Sequence, residues 1–124
     1  MNTSPEQNGG ISVPSTSSVS EYKSRCRDYI LNGFLYPGMY FNSLEELELI
    51  LFGHSLAHEQ IGLISRSQSF NMSFSDWLYE EKKISCASGW PMGLSSLNNI
   101  RDCTSPDFKS IVMNFLNEWK GADG

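Results

Sequence analysis

The stretch that decides the fold is Ser43-Leu44-Glu45-Glu46-Leu47-Glu48-Leu49-Ile50-Leu51-Phe52-Gly53-His54-Ser55-Leu56-Ala57-His58-Glu59-Gln60-Ile61-Gly62-Leu63-Ile64. Its first residues form a capping box. Ser43 can accept a backbone N–H three residues on, and Glu46 can reach back to the N–H of Ser43. At about 100° per residue, Leu47, Ile50, Leu51, His54, Ala57, His58 and Ile61 share one side of the helix. The other side carries Leu49, Phe52, Leu56 and Leu63 interleaved with Glu45, Glu48 and Glu59. A helix apolar around most of its circumference is a central one, or it keeps a greasy acidic face for a partner. Gly53 and Gly62 each cost about 1 kcal/mol relative to Ala inside a helix. Close approach of a second helix, with the small Ala57 between them, is the expected compensation.

On the N-terminal side, residues 1–18 are rich in Ser, Gly, Pro, Asn and Thr and read as a flexible tail, leaving 19–124 as one helical domain. A first helix is predicted over 19–32, with Ser18 and Glu21 as its capping box and Gly33 as its stop. Residues 34–41 form a turn flanked by Phe34, Leu35, Tyr36, Tyr40 and Phe41. Such a loop either folds over the core or stands out as an anchor for a protein partner.

Beyond residue 64 a polar connection leads to Ser73, which caps a short helix through Trp77, Leu78 and Tyr79 to a charged end at Glu80-Glu81-Lys82-Lys83. Trp90-Pro91-Met92-Gly93 opens another helical segment, with Leu94, Leu97 and Ile100 spaced by three. The last helix has Ser105 as its cap, Pro106 at its first position and Asp107 in its first turn. Phe108, Ile111, Val112, Phe115, Leu116 and Trp119 then follow helical spacing up to Gly121. No segment alternates with period two as a strand would. The reading is all-α: a single compact domain of about five helices around a central one.

The 124 residues can bury a substantial core, and an apolar fraction of 40% with 12% aromatics is that of a folded chain. The net charge of −5 argues against direct binding of nucleic acid and suits a basic partner. Residues 43–65 hold four acidic side chains and no basic one, so the surplus sits on the organising helix. Cys26, Cys86 and Cys103 are odd in number and widely spaced, which reads as reduced thiols in a cytoplasmic protein. The first ten residues lack the basic and apolar regions of a leader, and no apolar run is long enough to span a membrane.

His54 and His58 are four apart and could hold a metal with a third ligand from elsewhere, but the zincin pattern is absent. The simpler reading places both imidazoles toward the core. No cysteine or serine carries the signature of an activated nucleophile, and no glycine-rich phosphate loop is present. The expectation is a binding protein and not an enzyme, with no cofactor and no metal.

The order of motifs resembles a known group. Phe41-x-Ser43-Leu44-Glu45-Glu46-Leu47 leads to Gly53-His54-x-x-Ala57, then Phe74-x-x-Trp77-Leu78-Tyr79, Ser88-Gly89-Trp90, and a helix ending Phe115-Leu116-Asn117-Glu118-Trp119. Over residues 41–119 this resembles the small helical immunity proteins of bacterial polymorphic-toxin and contact-dependent growth-inhibition systems. The resemblance implies a cytoplasmic, monomeric antitoxin that forms a heterodimer with a cognate toxin domain, a nuclease or RNase with a basic cleft, away from any membrane. Glu45, Glu48 and Glu59 would then stand in for phosphates, with Phe52 or Leu56 as apolar anchors. The alternative is a helical regulatory or adaptor protein that holds a peptide or partner helix in an apolar groove.

Overall fold

Serine caps set where the helices begin. In the computed structural model, which describes residues 14–98, 100 and 102–121, Ser15 accepts the N–H of Ser18 at 3.1 Å and opens α1, Thr16–Leu35. This start precedes the predicted one by three residues. Ser18 is already helical, and its hydroxyl donates to the carbonyls of Ser15 (3.0 Å) and Leu63 (2.9 Å). Residues 1–13, most of the predicted tail, lie outside the described residues.

α1 also runs past Gly33, the predicted stop. A Cβ there would lie 2.1 Å from the ring of Phe41, so this glycine lets the ring of the following loop rest on bare backbone. The loop divides the two readings given to it. Phe41 is buried and Phe34 and Tyr40 pack on the core, with Tyr29 Oη donating to the Tyr40 carbonyl at 2.5 Å. Leu35, Tyr36 and Met39 face solvent.

α2, Leu44–Gln60, begins as predicted at Ser43, whose Oγ accepts from the Glu46 N–H at 3.0 Å. The reciprocal bond is displaced by one residue: Glu46 Oε1 accepts from Asn42 at 2.5 Å. The helix stops four residues before the predicted end. Gly62 adopts φ +79°, its N–H bonds the Glu59 carbonyl (3.0 Å), and the Leu63 N–H bonds that of His58 (2.9 Å). This is a Schellman closure, so Gly62 terminates the helix and costs it nothing. Gly53 does lie inside α2, yet no atom comes within 4 Å of a Cβ built on it. The expected close approach at Gly53 and Ala57 is absent; both residues are exposed.

A single 3-10 turn, Arg66–Gln68, leads to α3, Phe70–Lys82. Its cap is Ser69, not Ser73, which moves Phe70 into the helix and makes Phe70 and Phe74 an i, i+4 pair on the buried face. α4, Trp90–Asn98, and α5, Pro106–Gly121, follow. Ser105, Pro106 and Asp107 open α5 as predicted, with Ser105 Oγ accepting from the Asp107 N–H at 3.2 Å. The side chain of Leu97 lies outside the described residues, while Leu94 and Ile100 are buried.

The described residues thus form five α-helices and no strand, as the periodicity implied. None of these helices is long and apolar enough to cross a membrane. α1 and α5 run antiparallel, Lys23 meeting Trp119 and Phe34 meeting Phe108. α2, α3 and α4 contact one another pairwise. The helices close on an aromatic centre: Trp90 stacks on Phe108 with 6.0 Å between centroids and meets Phe70 and Phe74 edge-on, while Phe70 also meets Phe115 and Trp119 edge-on. Edge-on and offset rings add about 0.5–1.5 kcal/mol per pair beyond the area they bury.

Gly33 and Gly53, both inside helices, should respond oppositely to the same methyl. Gly33→Ala pushes into the Phe41 ring and should destabilise the fold by about 1–3 kcal/mol. Gly53→Ala meets open space and should stabilise α2 by about 1 kcal/mol. Urea unfolding of the two variants reads both signs, and shifts in the same direction would contradict this packing.

Candidate protein-binding face

Burial of Leu44, Leu47, Leu51 and Ser55 defines the inner face of α2. This face is rotated from the predicted one: Ser55 points in, while Ala57 and Ile61 (72% exposed) point out. The cause is Tyr22. Its buried hydroxyl pairs with Ser55 Oγ and accepts the Phe70 N–H at 2.8 Å, so the helix turns to bring Ser55 within reach. An unpartnered buried hydroxyl would be costly, and burial also pushes the Tyr22 phenol well above its ordinary pKa.

His54 and His58 lie half-buried beside the same ring. Tyr22 stacks on His54 at 5.4 Å and tilts against His58 at 5.3 Å; the imidazoles meet edge-on at 4.3 Å. His58 Nδ1 is 2.8 Å from the His54 carbonyl oxygen. No third His, Cys, Asp or Glu completes a metal-binding group with them among the described residues. The three cysteines carry free thiols. Burial pushes Cys26 up to about 12 and raises Cys86 and Cys103 as well, so all three stay protonated at neutral pH.

The outer side of α2 has a different character. At about 100° per residue, Glu45, Glu48, Leu49, Phe52, Leu56 and Glu59 fall within an arc of about 100°, spread along about 21 Å of helix. Leu49 is 68% exposed and Phe52 56% exposed. Glu45 is exposed at the head of the stripe. Glu48 is half-buried: its Oε2 would sit 2.7 Å from a Cβ on Gly89, just before the first turn of α4. Burial, then the neighbouring Glu45, raises the pKa of its carboxyl. Glu59 is half-buried and forms an ion pair with the exposed Arg66, Nε to Oε1, at 3.3 Å.

Phe52, Leu56 and Glu59 line a groove of about 300 Å³, closed on its far side by Arg66, Ser69, Asn71 and Met72. The structure therefore brings three of the five sequence-predicted residues to one concavity and leaves Glu48 about one turn and Glu45 about two turns along α2 from Phe52 at its edge. The sequence reading missed Met72 and Asn71 because it placed them in a polar connection. An earlier cap at Ser69, read together with the Phe70–Phe74 spacing, would have placed both on a helix. Asn71 also fixes the wall, since its Nδ2 donates to the Glu48 carbonyl (3.0 Å) and its Oδ1 accepts from the Trp90 indole (2.8 Å).

Compared with protein families, with curated proteins and with solved structures, the chain matches none.

The imidazole of His54 carries a pH signature for the inner edge of this helix. Desolvation, then the charges of His58 and Arg25, lowers its pKa below the ordinary 6.5. A depressed folded value favours the neutral ring, so its contribution is complete above the unfolded value and is lost as pH falls through the folded one. Stability measured by urea between about pH 7.5 and pH 5 should decline with acidification. His54→Gln should flatten that slope; an unchanged slope would place the titration elsewhere.

Proposed function

We propose that this chain is a helical immunity protein that neutralises a basic toxin domain by covering it, and that α2 supplies the contact. The observation that carries the reading is the pair Leu49 and Phe52, large apolar side chains held in solvent between Glu45, Glu48 and Glu59 while the inner face of the same helix is fully engaged. Apolar residues at the centre of a charged rim are the anatomy of a protein–protein contact. The resemblance of its motif order to that of small helical immunity proteins is in keeping with the same reading. So does the localisation of acidic surplus on this helix, which suits a nuclease cleft built to hold phosphates. The protein performs no bond-breaking in this scheme; it acts in the cytoplasm as one copy bound to one toxin.

A second reading rests on the groove beside Phe52, Leu56 and Met72. An adaptor that holds an amphipathic helix would place apolar residues there. Salt separates the two, since a basic toxin would associate in a strongly salt-dependent way and a neutral helix would not.

Co-expression and pull-down with the product of the neighbouring upstream gene, scored by rescue of growth, tests the proposal. Glu45→Lys should slow association about tenfold at low salt and reduce its salt dependence. Phe52→Ala should cost about 2 kcal/mol of binding, or about 30-fold in affinity, with little change in melting temperature because the ring is exposed. Rescue and kinetics unchanged in both variants would remove this face from the function, and turnover of a substrate by the isolated chain would remove the reading itself.

A further inference from the structure

Gly53 is not explained by any contact among the described residues. Glycine is less favourable than alanine inside a helix, yet no described atom lies within 4 Å of a Cβ built on this one. The position faces outward. At about 100° per residue, Leu49 and Gly53 stand about 160° from the mean direction of the buried Leu44, Leu47, Leu51 and Ser55. The glycine is therefore a bare patch of backbone with Leu49 one turn before it, Phe52 beside it and Leu56 one turn after it.

Acids are set to one side of this patch. Glu45 is exposed and Glu48 half-buried; burial, then Glu45, raises the Glu48 carboxyl, so a cation placed against the two would favour the charged form of both. Glu59, farther along, is already paired with Arg66. Residues 43–65 hold four acids and no base, so two such faces repel each other and a second copy of this chain suits the surface poorly. Leu49, Phe52 and Leu56 are spaced by three and then four, the repeat that keeps a seam facing a second helix.

We propose that α2 is covered by an α-helix of its partner, which packs closely over Gly53 and carries lysine or arginine on the flank that meets Glu45 and Glu48. The inference rests on the outer side of α2 being the protein contact, and it names the element the partner presents there. A helix places a ridge of side chains between Leu49 and Leu56, and where it crosses a glycine its axis can come nearer than the about 8–10 Å usual for packed helices. Its apolar side chains cover Leu49 and Phe52, and its cations meet the two acids at the rim. The missing side chain at position 53 then has a use, because a longer one would hold the two backbones apart.

Titration of the full chain with three synthetic peptides of about 20 residues, long enough to form a helix and to span the outer side of α2, tests the assignment. The first repeats Leu and Ala along one helical face with Lys on both flanks. The second has Glu in place of each Lys, and the third keeps the lysines but carries central prolines that forbid the helix. By NMR the first should saturate below millimolar concentration with shifts centred on Leu49, Phe52 and Gly53, and the other two should bind at least about tenfold more weakly. Gly53→Gln should resist urea as well as the native chain or better, since the position is open and Gln is the better helix former, yet bind the first peptide about tenfold more weakly. No binding, equal affinity for any two of the peptides, or undiminished binding by Gly53→Gln would overturn the proposal. Binding that appears only once residues 1–13 are removed, or a dimer of the chain closed through Phe52, would give the face to another occupant and overturn it as well. The peptide comparison uses the native chain alone and decides the matter even where the variant fails to fold. Growth rescue without peptide binding would keep the toxin reading and reject the helix; peptide binding without rescue would do the reverse.

Discussion

The hydroxyl of Tyr22 is the point through which three helices are held in register. It has no exposure to water, so its hydrogen-bonding capacity must be met inside the protein. The Phe70 N–H, one of the donors that the first turn of α3 leaves without an intrahelical acceptor, supplies one partner, and Ser55 of α2 supplies the other. A hydroxyl on a rigid ring, satisfied from two helices, tolerates only a narrow range of rotations for each. The ring then serves as the floor for His54, His58 and Trp119, which extends the constraint to the end of α5.

A second polar clamp lies across the core. The buried indole N–H of Trp90 reaches Asn71, and Asn71 donates in turn to the backbone of α2 at Glu48. One amide thereby joins α4, α3 and α2, in a region where an unmatched donor would be costly. Between them the two clamps set the rotation of α2 about its own axis. With Ser55 turned inward, the stripe from Glu45 to Glu59 is obliged to face out, and Leu49 and Phe52 go with it. The exposed apolar side chains are therefore a consequence of buried polar geometry as much as of their own sequence spacing.

Much of the architecture was legible in the amino-acid order. The all-α class, the start of α2 at Ser43 and the start of α5 at Ser105 follow from caps and period. So does the burial of Phe108, Val112, Phe115, Leu116 and Trp119, because these signals act over a few residues. The misread boundaries have a common origin. Gly33 looks like a stop, yet it is a seat for Phe41, a contact made by the loop that follows. Ser18 and Ser73 have the composition of caps, but Ser15 and Ser69 cap those helices, and local pattern does not rank one serine above another three or four residues away. Of the candidate site, a helical wheel could place Glu45 and Phe52 on one side of α2, but not turn that side to solvent. The groove wall at Asn71 and Met72 lies outside such a wheel, because it comes from a separate helix.

By itself the sequence determined that the chain is helical, where most of its apolar stripes lie, and that its acidic surplus is gathered on one helix. These follow from periodicity, capping and charge count, each a property of near neighbours along the chain. Only the tertiary structure decided which face of α2 is turned to solvent, which carboxylates are drawn back toward Gly89 and Arg66, and that Lys23 meets Trp119. Those outcomes depend on pairing residues up to 96 positions apart, as Lys23 and Trp119 are. Such pairings are selected by the collective satisfaction of buried polar groups and rings, which no local window contains.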